Sequence, residues 1–379
     1  MELHWYLIPH DGPYPWNPKG QRLVDFNYLR QIATTVDHLG FDGALVAGGG
    51  GGHDLWGLSF ALIPYTQRMK FIIAQHPGNT SAMQLAQAAA TFDQFSNGRL
   101  IINIVNGADG AGLPYGVFLD HDERYAMADE YWGVWRRIMS GETIDFDGQY
   151  IKLKNAKLAL KPVQKPYPEL YFGGSSPAAQ QVAAKHTDTY LTWGEPPPLA
   201  EEKITAVSRL AAAQGRNLRY GIRIYLIVRE TRDEAWAAAQ WLYDHMDKEA
   251  IARNRNITAG TDSVGQQRMN AIIGNKLPKD ARDLEVYPDI WGGIGLIRGG
   301  PGLAIVGDPE TVAERIHEYE RIGFDVFIVS GYPLIEEAYR VADLLFPILE
   351  PAGWKQRANA NLIDLNTVLR PIKQAAAGG

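Results

Sequence analysis

Short apolar runs rich in β-branched residues alternate with longer amphipathic stretches along most of the 379 residues. That alternation is the pattern of strand–helix units built around a parallel sheet. The runs Leu3–Ile8, Asp42–Val46, Lys70–Gln75, Leu100–Val105, Glu169–Phe172, Thr189–Thr192, Tyr220–Val228 and Asp325–Ser330 read as eight strands. Helical periodicity follows them over Phe26–Leu39, Asp54–Ile63, Ala82–Phe95, Asp122–Met139, Pro177–Lys185, Pro198–Gln214, Arg232–Lys248 and Leu334–Leu345. Eight pairs in strict order predict an α/β fold, a closed (β/α)8 TIM barrel forming one domain over residues 1–350. An open doubly wound sheet would normally have fewer strands. Two stretches interrupt the repeat. Residues 140–168 carry the turn-rich Gly-Glu-Thr-Ile-Asp-Phe-Asp-Gly run of an excursion hairpin. Residues 251–308 include Gly-Gly-Ile-Gly-Leu-Ile-Arg-Gly-Gly-Pro-Gly and read as a long irregular insertion of the lid kind. Residues 351–379 form a polar, Ala- and Asn-rich tail, expected to be loosely ordered or to contact another subunit.

Composition narrows the partners. The formal net charge is −6 with Lys and Arg dispersed, so no basic surface for nucleic acid is expected. The chain has no Cys, which excludes disulfides, thiolate metal sites and a Cys nucleophile. Met1 to Pro9 lacks the features of a secretory leader, and no run of about 18 apolar residues could cross a bilayer. A cytoplasmic enzyme without membrane contact is the expectation.

In such a barrel the active face lies at the C-terminal ends of the strands. Chemically capable residues collect there: His10 after the first strand, Gly48 to His53 after the second, His76 after the third and Asn106 after the fourth. The fifth strand runs into Gly173-Gly174-Ser175-Ser176-Pro177. Ser176 suits an N-cap with Pro177 at the first helical position. The free N–H groups of that helix start would favour a phosphate, although an ordinary capped turn fits the same residues. Arg223 and Tyr225 stand two apart on the seventh strand and share a side. Arg offers a planar fork of donors to a sulfonate or phosphate, with a salt bridge as the plainer reading. Arg298 lies in the Gly-rich insertion, and Trp193 follows the sixth strand with Gly and Glu-Pro neighbours suited to a pocket wall. His10, His53 and His76 raise a metal-dependent hydrolase as a rival, but His-X-His and His-Glu-X-X-His spacings are both missing.

With these residues in place, the chain resembles the flavin-dependent alkanesulfonate monooxygenases of the bacterial-luciferase-like superfamily, from His4 to Pro347. The resemblance rests on Pro9-His10, Phe92-Asp93-Gln94-Phe95-Ser96-Asn97-Gly98-Arg99, Tyr171-Phe172-Gly173-Gly174-Ser175-Ser176 and Tyr190-Leu191-Thr192-Trp193-Gly194-Glu195-Pro196. It extends through Gly221-Ile222-Arg223, the Thr261 to Met269 run, Arg298-Gly299-Gly300 and Ser330-Gly331-Tyr332-Pro333. It implies a two-component system in which an NAD(P)H-dependent flavin reductase supplies reduced FMN (FMNH2). With O2, the reduced flavin then cleaves the C–S bond of a small organosulfonate to give sulfite and an aldehyde. Arg223 and Arg298 would bind the sulfonate or steady the oxygenated flavin anion, and Tyr332 would assist proton transfer. His10 and Trp193 would line the pocket. Ser175 and Ser176, with Tyr125 nearby, would hold the FMN phosphate at Gly174, and Asn106 would sit near the isoalloxazine ring. A homo-oligomer, dimer or tetramer, is also implied.

Two positions depart from the family pattern. Tyr225 stands where the family usually has His, and Gly48 to Gly52 replaces a Thr-Gly-Arg-Ser-Cys stretch, with Gly52 at the Cys position. Less bulk beside the pocket would admit a larger head group, such as a sugar sulfonate. The same fold and flavin acting on a sulfone or another small molecule, and a non-catalytic flavin-binding relative, remain as alternatives.

Overall fold

The computed structural model describes residues 1–48, 52–107 and 112–361. Eight parallel strands form the barrel: β1 (Glu2–Leu7), β2 (Gly43–Val46), β3 (Lys70–Gln75), β4 (Leu100–Ile104), β7 (Glu169–Phe172), β8 (Thr189–Trp193), β9 (Arg219–Val228) and β13 (Val326–Ser330). They pair in the order β13–β1–β2–β3–β4–β7–β8–β9, and β13 on β9 closes the ring. The closed α/β barrel read from the sequence is therefore the fold. Strands such as β13 are buried along their whole length because helices cover one face and the barrel interior the other. That double burial explains why these runs are continuously apolar rather than alternating.

The helices α1 (Phe26–Leu39), α2 (Leu55–Leu62), α3 (Ala82–Phe95), α4 (His121–Met139), α5 (Pro177–His186) and α6 (Pro197–Ala212) follow the first six barrel strands. Between α4 and β7 the strands β5 (Ile144–Asp147) and β6 (Lys152–Ala156) form an antiparallel hairpin. After β9 the chain departs from the simple repeat. Helices α7 (Arg232–Asp244), α8 (Lys248–Ala259) and α9 (Val264–Ile273) come first, then the antiparallel run β10 (Glu285–Tyr287), β11 (Ile290–Trp291) and β12 (Ala304–Gly307). Helix α10 (Pro309–Arg321) leads into β13 and packs on α11 (Leu334–Leu349), so it takes the seventh place in the outer ring. Helix α7 packs instead on β12.

The region 251–308 is thus mostly helix and strand, which corrects the irregular lid expected from its composition. Its glycines mark close packing rather than looseness. A Cβ on Gly302 would lie 2.5 Å from the Gly295 Cα, so two backbone segments meet where no side chain fits.

Strand β12 explains how the insertion is held. Odd-numbered residues of β9 turn their backbone groups toward β8 as far as Arg223, whose carbonyl accepts from the Gly194 N–H at 2.8 Å. Two residues on, the Tyr225 N–H donates to Leu303 at 3.0 Å, and β12 then pairs in parallel from Tyr225 to Val228. The insertion takes over the edge that β8 leaves. At the opposite end of the barrel, part of the tail forms α12 (Ala352–Asn361), with the Gly353 N–H on Asp42 at 2.8 Å. The rest of the tail and residues 49–51 of the glycine run after β2 lie outside the described residues.

A buried carboxylate ties the insertion to the barrel wall. Glu195, 1% exposed, follows β8; it accepts from Lys203 of α6 at 2.5 Å and from Arg268 of α9 through both oxygens, at 2.9 and 2.6 Å. Burial alone would raise its carboxyl, but Arg268 and Lys203 outweigh that and hold it below the ordinary glutamate range. A depressed folded value contributes stability above the unfolded value of about 4.3 and loses it as pH falls through the folded one. Glu195→Gln is therefore expected to cost about 3 kcal/mol at neutral pH, because Lys203 is left buried without its partner. Denaturant unfolding should show the gap between the two proteins narrowing below about pH 4.

Candidate active site

Two helix N-termini face each other across a cleft at the C-terminal end of the barrel. One is α5, where Ser176 accepts from the Ala179 N–H at 3.2 Å and Pro177 stands at the first helical position. The other is α9, capped by Ser263 through the Gln266 N–H at 3.3 Å. Gly107, His121, Tyr125, Gly173 to Ser176, Leu191 to Trp193 and Asp262 to Gly265 line a cleft of about 70 Å³ that opens to solvent at its mouth. The two glycines are required by close approach: a Cβ on Gly173 would meet the Leu191 carbonyl oxygen at 2.6 Å, and one on Gly174 the Ala179 Cβ at 2.4 Å. Tyr125 reaches Ser176 through its hydroxyl, and burial raises its phenol. The backbone N–H groups and aligned dipoles of two helix starts make this cleft a place for an anion.

Four of the residues singled out as flavin contacts, Tyr125, Gly174, Ser175 and Ser176, line this one cleft, together with Trp193. Asn106 lies beyond the end of β4; its amide N–H donates to the Arg124 carbonyl at 3.4 Å, while its Oδ1 is buried without a hydrogen-bond partner among the described residues. The second wall is the start of the Thr261 to Met269 run, and what holds it in place was not legible in the chain. Arg124, 5% exposed on α4, meets Asp262 at 2.6 Å and so fixes the segment entering α9. Two charges 138 residues apart could be paired only by the fold.

A second cluster lies one strand away. Trp193 of β8 is directly opposite Arg223 of β9 in the ladder. From there Arg223 reaches Tyr6 of β1, its guanidinium carbon 4.1 Å from the ring centroid. Tyr225, two residues on, accepts from Arg298, and its hydroxyl lies 3.4 Å from that of Tyr332, with the two rings stacked. Arg298 is half-buried, close to the point where β12 returns to β9, and its Nε donates to the Gly299 carbonyl at 3.1 Å. Neither Arg223 nor Arg298 has a carboxylate partner among the described residues, and Arg223 Nη2 is buried without any partner. His10 sits at the exposed edge of the same end of the barrel.

Electrostatics follow from this crowding of cations and phenols. Burial works against the Arg298 charge, but Tyr225, Tyr332 and Tyr6 more than offset it and raise its value. Burial pushes the Tyr332 phenol well up. His10 is lowered by burial and by the Arg298 charge, which favours the neutral imidazole. Tyr6 behaves differently: burial would raise it, yet Arg223 and Arg298 together bring it down. Nothing in the sequence set Tyr6 apart from its apolar strand. Among the described residues no group of three His, Cys, Asp or Glu side chains could hold a metal ion, so His10, His53 and His76 do not form the site a hydrolase would need.

The fold recurs in solved structures of flavin enzymes and monooxygenases. Riboflavin lyase, solved with modified FMN and riboflavin, is 20% identical and superimposes with a TM-score of 0.75 over 92% of this chain and 91% of that one. A long-chain alkane monooxygenase is 20% identical with a TM-score of 0.74, covering 96% and 93% of the two chains. EDTA monooxygenase from Chelativorans sp. BNC1 is 19% identical with a TM-score of 0.74, covering 92% and 93%. At such identities the likeness speaks for the fold alone. The family model for luciferase-like monooxygenases matches residues 1–326, and with the whole barrel up to the start of its last strand inside that match, the chain belongs to this family.

Proposed function

We propose that this protein is a flavin-dependent monooxygenase that splits the C–S bond of a small organosulfonate, giving sulfite and an aldehyde. A separate NAD(P)H-dependent flavin reductase would supply its reduced FMN. The observation that carries this reading is the pair Arg223 and Arg298, two guanidinium groups facing phenols with no carboxylate between them among the described residues. A cation pair left uncompensated beside a cleft suits a substrate that brings its own strong-acid anion, and a sulfonate does so with three acceptor oxygens.

The neighbouring cleft offers donors for the phosphate of FMN. Ser175, Ser176 and the N–H groups at the starts of α5 and α9 would hold its phosphate. The buried, unpartnered Oδ1 of Asn106 is an acceptor suited to an N–H of the flavin ring. Bound reduced FMN would supply the electrons that activate O2. The chain's own groups account for the remainder. Arg223 and Arg298 orient the sulfonate, and Tyr225 holds Arg298 in place. Trp193 walls the path between the phosphate cleft and the arginine pair. Tyr332, whose phenol burial keeps protonated, holds a proton beside the anion.

With reduced FMN and O2, a panel of sulfonates of increasing size is expected to release sulfite in step with aldehyde; silence across the whole panel would remove this reading. Arg298→Ala should lower kcat/KM by about 100-fold or more, since a charge-assisted contact to the reacting anion is lost. Its thermal midpoint should move by no more than about 4 °C, because no buried carboxylate is left unpaired. Reduced FMN should bind about 100-fold more tightly than reduced riboflavin in anaerobic fluorescence titrations, the difference being the phosphate held at the two helix starts.

A further inference from the structure

We propose that Gln266 is a positioning residue for Arg298: it ties the turn that carries Arg298 to the start of α9, so that an anion held in the cleft helps to set the guanidinium for a second anion. That the first anion is the FMN phosphate and the second a sulfonate rests on the function proposed above; the link between the two places does not.

A continuous run of hydrogen bonds makes the link. Helix α9 begins at Val264 with Ser263 as its cap, and both Val264 and Gly265 line the cleft. The Ser263 hydroxyl takes the Gln266 N–H, which leaves the Val264 and Gly265 N–H groups as first-turn donors for a ligand. Ser175 and Trp193 stand against the same turn: a Cβ on Gly265 would lie 3.5 Å from the Ser175 Oγ and 3.4 Å from the Trp193 ring. Gln266 comes next. Its side chain is buried, and its Oε1 accepts from the Gly300 N–H at 2.8 Å. Gly300 stands two residues after Arg298, whose Nε donates to the Gly299 carbonyl at 3.1 Å and whose guanidinium also donates to Tyr225.

Amide chemistry fixes the sense of this run. A main-chain N–H can only donate, so the oxygen of Gln266 faces Gly300 and its Nε2 is left for the Asn270 Oδ1, at 2.8 Å. Asn270 in turn passes its own N–H to the Thr258 carbonyl of α8 at 3.2 Å. Both ends of the Gln266 amide are thus spent inside the insertion, whereas its neighbour Gln267 is exposed. The physical consequence is a coupling. An anion accepting from the Val264 and Gly265 N–H groups holds the first turn of α9, and through Gln266 that turn holds Gly300. Arg298 is then already placed when a second anion arrives, which removes part of the ordering cost the second ligand would otherwise meet. By linkage the effect is mutual: each anion tightens the other by the same factor.

Anaerobic fluorescence titration of reduced FMN, with and without saturating methanesulfonate, tests the link. In wild type methanesulfonate should tighten FMN by about tenfold, within the usual range for coupled sites. Reduced riboflavin lacks the phosphate and should show no such gain, which separates the α9 route from direct contact between flavin and sulfonate. Gln266→Met keeps the length of the side chain and removes the acceptor. It should bind FMN alone as wild type does and lose the gain, whereas Gln267→Met should keep it. A merely structural loss would weaken FMN alone and leave the ratio unchanged. Circular dichroism checks that the variant is folded, and Gln266→Leu, which also lacks the acceptor, takes its place if it is not. A gain that persists without the acceptor, that riboflavin shows equally, or that is missing or reversed in wild type would overturn the assignment. A gain routed through Gln266 in a protein that releases sulfite from no sulfonate would uphold the link and remove only the substrate reading.

Discussion

The site depends on one strand serving two ladders along the same edge. The first half of β9 closes the barrel against β8, and the second half accepts β12 from the insertion. Arg223 and Tyr225 stand on either side of that handover. Because both ladders are parallel and share the odd-numbered edge, the insertion enters the barrel in register and carries Arg298 to a fixed place. The Glu195 clasp adds a second anchor, through Arg268, on the helix whose start lines the phosphate cleft. Cleft and arginine pair are therefore held by the same inserted segment, each through a different contact with the barrel.

This arrangement explains what could be read from the chain and what could not. The eight strands were legible because double burial makes them largely apolar runs, and Ser176-Pro177 was legible because capping chemistry is local. The order within 251–308 was not. Its glycines broke both periodicities, although Gly295 and Gly302 are there to let two segments touch. Tyr6 escaped notice for a different reason. An aromatic residue in a buried strand looks like core, and only its position two strands from β9 gives it a cationic neighbour. The Arg124–Asp262 contact is hidden in the same way, by separation along the chain.

Resemblance and geometry also divide the labour differently. The Phe92 to Arg99 run is one of the longest stretches on which the resemblance rests, yet it lies before β4, at the opposite end of the barrel from the candidate site. There Arg99 donates to the Ser96 carbonyl at 2.7 Å, the Met69 carbonyl at 3.1 Å and Thr66 at 2.8 Å. Asp93 holds the Gln164 amide at 2.7 Å. These residues stitch loops together at the face associated with stability. The two clusters lie at the other end, around Ser176 and around Tyr225.

The two places for an anion are written in different materials. In the cleft between α5 and α9 the donors are main-chain N–H groups, which survive most side-chain replacements as long as the helices start where they do. Around Arg223 and Tyr225 the strand's main-chain groups are already spent on β8, β13 and β12. Everything that greets a ligand there must be a side chain. Exchange of one or two side chains can thus remake the surroundings of Arg223 while the main-chain donors of the cleft stay as they were.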